Sequence, residues 1–231
     1  MDDGVTASGP GLSGARVLVA GASGVLGGLA AHELQARGSV VALAGRHPDR
    51  LADVAGGLGG APVRGLDAYD LDDCAALAAW AVRELGGLDG VLVTVGVAGF
   101  GRVEEVPDEV VEHLFAVNVL CPAAVLRGAV ARVVDGGFLA AVTGAIVDRP
   151  MLGTADYAAA KTALSCWLGV VAREGRARRL RVFDFRLPHL ETGFSDRPVA
   201  GRPPALPRGG DPAAAVQALV DQLEGAAPAA R

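Results

Sequence analysis

Apolar positions along this chain repeat in two ways. Short, nearly unbroken apolar runs occur at 16–20, 40–44, 91–95 and 138–142, and two further strands, with charged residues interspersed, are expected at 62–66 and 180–186. Runs of that length, with no polar residue on every second position, predict strands buried on both faces. Between them the apolar residues return every three or four positions, which predicts helices. The first covers 26–37, through Leu26, Leu29, Ala30 and Leu34, and Gly38 ends it. Others cover 47–55, with Pro48 where a first turn accepts proline, then 72–85, 108–134 with a bend at Pro122, 155–173, and 212–223 with Asp211 as N-cap.

Strands that alternate with helices predict a parallel sheet covered on both faces, a doubly wound α/β domain. Residues 14–224 form that single domain. The Gly-, Ser- and Asp-rich stretch 1–13 is a flexible lead-in, and 225–231 a flexible tail. The Pro-, Gly- and Arg-rich stretch 187–210 is too long for an ordinary connection, which suits a functional lid or a disordered loop.

Composition narrows the function classes. The chain has 231 residues, 51% of them hydrophobic, enough for a core without disulfides or metals. A formal net charge of −5 argues against general nucleic-acid or membrane-surface binding. No apolar run reaches the ~20 residues that cross a bilayer, and no basic stretch precedes an apolar core at the N-terminus. A cytoplasmic location follows by default. Cys74, Cys121 and Cys166 lie in apolar segments without metal-ligand spacing, so buried free thiols are expected and no metal site. The 21 basic residues are arginines except for Lys161, Asn118 is the sole asparagine, and Tyr69 and Tyr157 are the sole tyrosines.

The segment Gly21-Ala22-Ser23-Gly24-Val25-Leu26-Gly27 joins the first strand to the first helix. Glycines there allow a tight turn and close approach to a pyrophosphate, and the helix N-terminus offers unpaired N–H groups. In a chain with 33 glycines the spacing alone is weak, but its place in the first βα unit is where Rossmann-type folds bind dinucleotides. The second strand ends Leu43-Ala44-Gly45-Arg46, with no carboxylate to hold a ribose 2′-hydroxyl. Arg46 is either a grip for a 2′-phosphate or a solvated loop cation, and the first choice favours NADP(H) over NAD(H).

Tyr157 and Lys161 are four residues apart on a predicted helix, so their side chains share one face. A phenol with a reference pKa of ~10 releases its proton more readily beside an ammonium. Such a pair can give a proton to a carbonyl oxygen or take one back. The bland alternative is a half-buried tyrosine next to a snorkelling lysine. That the one lysine falls four residues after one of two tyrosines favours the chemical role.

In chain order, the glycine loop, Asp70-Leu71, Leu88-Asp89-Gly90-Val91-Leu92, Asn118 and Tyr157-x-x-x-Lys161 resemble the short-chain dehydrogenase/reductase family over about residues 14–224. The resemblance implies a Rossmann-type sheet in the order 3-2-1-4-5-6, here without the family's usual seventh strand. It implies cofactor contacts from Gly21, Ser23, Gly24, Val25, Leu26 and Gly27, with Asp70 and Leu71 beside the adenine. Lys161 would also hold the nicotinamide ribose, Asn118 a proton-relay water, and Thr192, after Leu187-Pro188, the nicotinamide carboxamide. The chain also departs from the family. Val25 replaces a glycine, and only Gly96 survives from the Asn-Asn-Ala-Gly segment, here Val93-Thr94-Val95-Gly96. Gly144 stands where the catalytic serine is expected. Thr143 either supplies that hydroxyl or is a strand-end residue turned into the packing.

These features lead to an NADP(H)-dependent oxidoreductase that reduces a ketone or aldehyde, or oxidises the matching secondary alcohol, with Tyr157 as acid/base. The alternatives are an NADP(H)-binding sensor or scaffold of little or no activity, and an isomerase or dehydratase using bound nicotinamide. The expected partners are a small carbonyl or alcohol substrate and a second copy of the chain, docked through the apolar helices around 117–133 and 158–171.

Overall fold

The computed structural model describes residues 11–225. Six parallel strands form one sheet: β1 (Arg16–Ala20), β2 (Val40–Gly45), β3 (Val63–Gly65), β4 (Gly90–Val93), β5 (Phe138–Val142) and β6 (Arg181–Phe185). Their order is β3-β2-β1-β4-β5-β6, the order expected from the resemblance. The helices are α1 (Val25–Ala36), α2 (Pro48–Gly57), α3 (Leu71–Leu85), α4 (Asp108–Phe115), α5 (Cys121–Val130), α6 (Ala155–Glu174) and α7 (Pro212–Gly225).

Strand alternation builds two cores from single runs of sequence. Leu18, Ala20, Ala42, Ala44, Val91, Val93, Leu139 and Ala141 face one layer, with Leu77, Ala78, Val125, Leu126, Leu164 and Leu168 of α3, α5 and α6. Val17, Val19, Val41, Leu43, Leu92, Phe138 and Ala140 face the other, with Leu34, Leu51, Val216, Leu219, Val220 and Leu223 of α1, α2 and α7. The continuous apolar runs of β1, β2, β4 and β5 are therefore explained by burial on both faces, whereas β3 at the sheet edge is largely exposed and β6 at the other edge is only partly buried. Polar residues set the helix ends. The Asp70 carboxylate accepts from Asp73 N at 2.9 Å, Gly86 closes α3 in the left-handed region, and Asp211 accepts from Ala213 N and Ala214 N to start α7.

Four expectations change. Cys74 and Cys121 are buried as expected, but Cys166 on α6 is exposed. Leu12, placed in a flexible lead-in, is 1% exposed and belongs to the core, and its carbonyl accepts the Ser39 hydroxyl at 2.9 Å. Residues 1–10 and the tail beyond 225 lie outside the described residues. The helix expected over 108–134 is divided by a π turn, Ala116–Leu120, and α5 ends at Val130. Pro122 has no N–H for the Asn118 carbonyl four residues earlier, so the regular ladder fails at that point. Finally, Asp108–Val130 as one helical run is long and apolar enough by length and composition to cross a membrane. It packs against α3 and α6 in this domain, and half of its apolar window is buried.

The long connection after β6 is tied down. Leu190 and Gly210 form a parallel bridge, and Glu191 Oε1 accepts from Gly209 N at 2.7 Å. Val199 N donates to Ala98 O at 2.8 Å, and Phe100 N to Ala200 O at 2.9 Å. The connection therefore lies along the segment that follows β4.

Candidate active site

The loops after β1, β2, β4, β5 and β6 meet at the carboxyl edge of the sheet, where open α/β sheets bind ligands. The first is the glycine loop. Gly21 N and Ala22 N both donate to Ala44 O, at 2.8 and 3.0 Å, and Gly24 N donates to Gly21 O at 2.9 Å. Gly21 has φ +98°, and a Cβ on Gly27 would lie 2.3 Å from Gly21 O. Gly24 is the N-cap of α1 and provides no side-chain cap, so the first-turn amides have no capping oxygen. Uncapped amides behind a glycine turn fit the pyrophosphate of a dinucleotide.

Around this loop the remaining cofactor candidates divide. Gly45, preceding Arg46, lets Ser23 lie close, since a Cβ there would meet Ser23 Oγ at 2.7 Å. Arg46 is exposed, with Nε 3.2 Å from His47 Nε2, so this arginine and histidine form a polar pair beside Ser23. His47, adjacent to Arg46, belongs to no motif in the sequence. Asp70 is engaged as the α3 cap, and Leu71 is 37% exposed at the mouth of an open cavity of about 540 Å³ lined also by Asp67, Tyr69 and Asp72. The Tyr69 hydroxyl reaches His113 Nδ1 of α4 at 2.5 Å, and the two rings stack.

The second centre is built on α6. Tyr157 and Lys161 lie one helical turn apart, and Lys161 is 4% exposed. Its ammonium donates to Val142 O, at the end of β5, at 3.1 Å. Gly96, after β4, provides the opposite wall, and a Cβ there would lie 3.0 Å from both Lys161 Nζ and Asn118 Oδ1. Asn118, in the π turn, is fully buried and clamps that segment. Its Oδ1 accepts from Val97 N at 3.1 Å, and its Nδ2 donates to Val97 O at 3.0 Å. The structure thus brings Lys161, Asn118 and Gly96 together, with Tyr157 one helical turn before Lys161. Phe100 and Phe194 flank the Tyr157 ring, at centroid distances of 6.3 and 6.4 Å. Neither was singled out from the sequence.

Electrostatics at this centre differ from the simple expectation. Burial raises the Tyr157 phenol above its ordinary value, so it holds its proton. Burial also lowers Lys161 to about 8, against the opposing pull of the Asp184 carboxylate. The ammonium is turned to the Val142 carbonyl, and desolvation controls both groups.

Thr143 directly follows β5. It is 1% exposed, and its hydroxyl donates to Asp184 Oδ1, so that donor is not available to a substrate carbonyl. It belongs to the strand-end packing. Gly144, where a serine was expected, has φ +102°, and its N–H donates to Phe185 O at 3.2 Å. Thr192 uses its hydroxyl to accept from Phe194 N at 3.3 Å, and Pro188 lies in the same connection. Sequence reasoning also missed Asp184, which accepts from Ser165 Oγ at 2.6 Å and Arg186 Nε at 3.0 Å. A carboxylate between two phenylalanines in a strand was the available signal.

The comparisons agree with this architecture. A Mycobacterium tuberculosis protein described as an uncharacterized NAD-dependent oxidoreductase is 32% identical over 114 residues, 48% of this chain and 42% of that protein. The curated relatives matched here are covered over less than half of their own length. A putative short-chain oxidoreductase from Thermus thermophilus superposes with a TM-score of 0.76 at 30% identity, covering 94% of this chain and 99% of that one. An alcohol dehydrogenase from Thermococcus sibiricus, solved with 5-hydroxy-NADP, gives 0.79 at 23% identity, covering 90% and 89%. The family model described as short chain dehydrogenase matches residues 15–200, and with this sheet order and glycine loop the chain belongs to that family.

Proposed function

We propose that the protein is an NADP(H)-dependent oxidoreductase that interconverts a small ketone or aldehyde and its alcohol, with Tyr157 as the proton donor and acceptor. The observation that carries this is the Tyr157–Lys161 face of α6, walled by Gly96 and Asn118 and opening toward Phe100 and Phe194. Bound nicotinamide would supply or accept the hydride. The loop Gly21–Gly27 would hold its pyrophosphate, and Arg46 with Ser23 a 2′-phosphate. The Thermococcus sibiricus relative carries an NADP derivative, whereas the Mycobacterium tuberculosis relative is described as NAD-dependent. Arg46, in place of a carboxylate, favours the phosphorylated cofactor.

A phenol that burial keeps protonated suits the reductive direction, since it can donate to the oxygen that gains charge as hydride arrives. Lys161 would lie beside that proton and oppose the build-up of negative charge on Tyr157. Asn118 keeps the Val97 backbone and the π turn in register around Lys161. The engaged Thr143 hydroxyl and the absence of a side chain at Gly144 favour one second possibility, a cofactor-binding sensor without turnover. Pairing of two copies through α5 and α6, where Leu120 at the entry to α5 and Val170 of α6 are exposed, completes the proposal.

The test is a panel of ketones and aldehydes followed by NADPH or NADH absorbance. Net consumption faster with NADPH is expected, and Tyr157→Phe should lower it by about 10²–10⁴-fold. NADPH binding without consumption across the panel would support the sensor instead. A preference for NADH would remove the role given to Arg46.

A further inference from the structure

The cluster under Lys161 holds a carboxylate with no role in the proposal above. Asp184 stands on β6, paired in register with Ala141 of β5. Its Oδ1 accepts the hydroxyl of Thr143, the residue after the carbonyl that binds Lys161. Its Oδ2 accepts the hydroxyl of Ser165, one helical turn after Lys161, at 2.6 Å. Arg186 joins the same oxygen at 3.0 Å, the Ser165 hydroxyl at 3.0 Å, and Asp148. One carboxylate therefore binds both protein elements that hold Lys161, the end of β5 and the middle of α6.

We infer that Asp184 is a positioning residue for the proton-transfer site, fastening β5 to α6 around Lys161 and keeping a negative charge beneath the buried ammonium. A buried ammonium needs such a counter-charge, because taking it out of water favours the neutral amine. Asp184 is the acid that the surroundings supply. On α6 itself the neighbouring groups are Tyr157 and Ser165, and the π turn contributes the neutral amide of Asn118. Asp108, Glu109 and Glu112 of α4, and Arg127 of α5, are exposed at the surface, and His113 is bonded to Tyr69. Asp148 is exposed on the far side of Arg186. The electrostatic balance at Lys161 agrees, since Asp184 opposes the downward effect of burial.

The inference deepens the role assigned to Lys161, but its test needs neither substrate nor turnover. Lys161 is the chain's only lysine, so tag-free protein labelled with 13Cε-lysine gives a single lysine resonance. In the parent protein its titration midpoint is expected near pH 8. Asp184→Asn, which keeps shape and removes charge, should lower that midpoint by about one pH unit. Arg186→Gln, which releases Asp184 from a competing cation, should raise it and remains informative if Asp184→Asn does not fold. Asp148→Asn removes an acid with no contact beneath Lys161 and should leave it within ~0.2 of the parent. Equal midpoints in the parent, Asp184→Asn and Arg186→Gln would overturn the inference. Failure to consume NADPH would instead overturn the proposed activity and leave this result standing.

Discussion

Gly24 and Gly27 of the first loop are expected to serve different ends, and alanine substitution separates them. A Cβ on Gly27 would lie 2.3 Å from Gly21 O and 2.7 Å from Thr94 Oγ1. Gly21 cannot withdraw easily, because its N–H and that of Ala22 are both bonded to Ala44 O. Alanine at Gly27 gains about 1 kcal/mol of helix propensity, but overpacking against backbone typically costs about 1–3 kcal/mol and more where nothing can move. With overlap this deep, a net loss of about 1–3 kcal/mol is expected, and for a chain of this size each kcal/mol shifts Tm by about 2–4 °C. Gly24 is different. Its φ of −90° and ψ of 163° suit alanine, and the nearest atom to an added Cβ is Gly21 O at 3.3 Å. The unfolded-state gain of about 0.4–1 kcal/mol and the poorer N-cap roughly cancel, so stability should change by less than about 1 kcal/mol. Its methyl group would, however, stand over the first-turn amides, and NADPH affinity should fall on the order of tenfold or more. Thermal unfolding by circular dichroism and NADPH titration by fluorescence measure the two effects. A Gly24→Ala protein that melts as low as Gly27→Ala, or that binds NADPH as tightly as the parent, would refute this division.

Two further outcomes concern stability. Leu223 of α7 is fully buried, so Leu223→Ala should cost about 2–5 kcal/mol in urea unfolding, whereas Leu152→Ala, at a residue 95% exposed, should stay within about 0.5 kcal/mol. Equal effects would contradict the packing of α7 on α1. Burial would raise the Asp89 carboxyl, but hydrogen bonds from the Arg16 side chain and backbone, with its charge, hold it below the usual range. A carboxyl lowered on folding stabilises fully above its unfolded pKa of about 3.9, and that contribution is lost as pH falls through the folded value. Asp89→Asn should therefore be less stable by about 1–2 kcal/mol at pH 7, with the difference shrinking below about pH 4 in acid unfolding curves. A gap that is constant with pH would exclude an ionic origin.

Local pattern determined where the strands and most of the helices lie, while the strand order came from the family resemblance. Continuous apolar runs encode strands buried on both faces, and Asp70, Gly86 and Asp211 mark helix ends through bonds made within a few residues. The glycine loop and the Tyr157–Lys161 spacing were legible for the same reason, since both depend on neighbours at most six positions apart. Tertiary structure decided what depends on distant residues. Leu12 is a core residue because Ser39 and the α1 layer enclose it. The Thr143 hydroxyl is engaged because the carboxylate of Asp184, 41 residues later, accepts its hydrogen bond. The protonation of the Tyr157–Lys161 pair follows from burial, with Asp184 opposing it at Lys161, in a site where Gly96, Asn118, Phe100 and Phe194 arrive from three separate segments. A spacing of four sets which side chains share a helix face, but only the packed surroundings fix how much water and which charges that face meets.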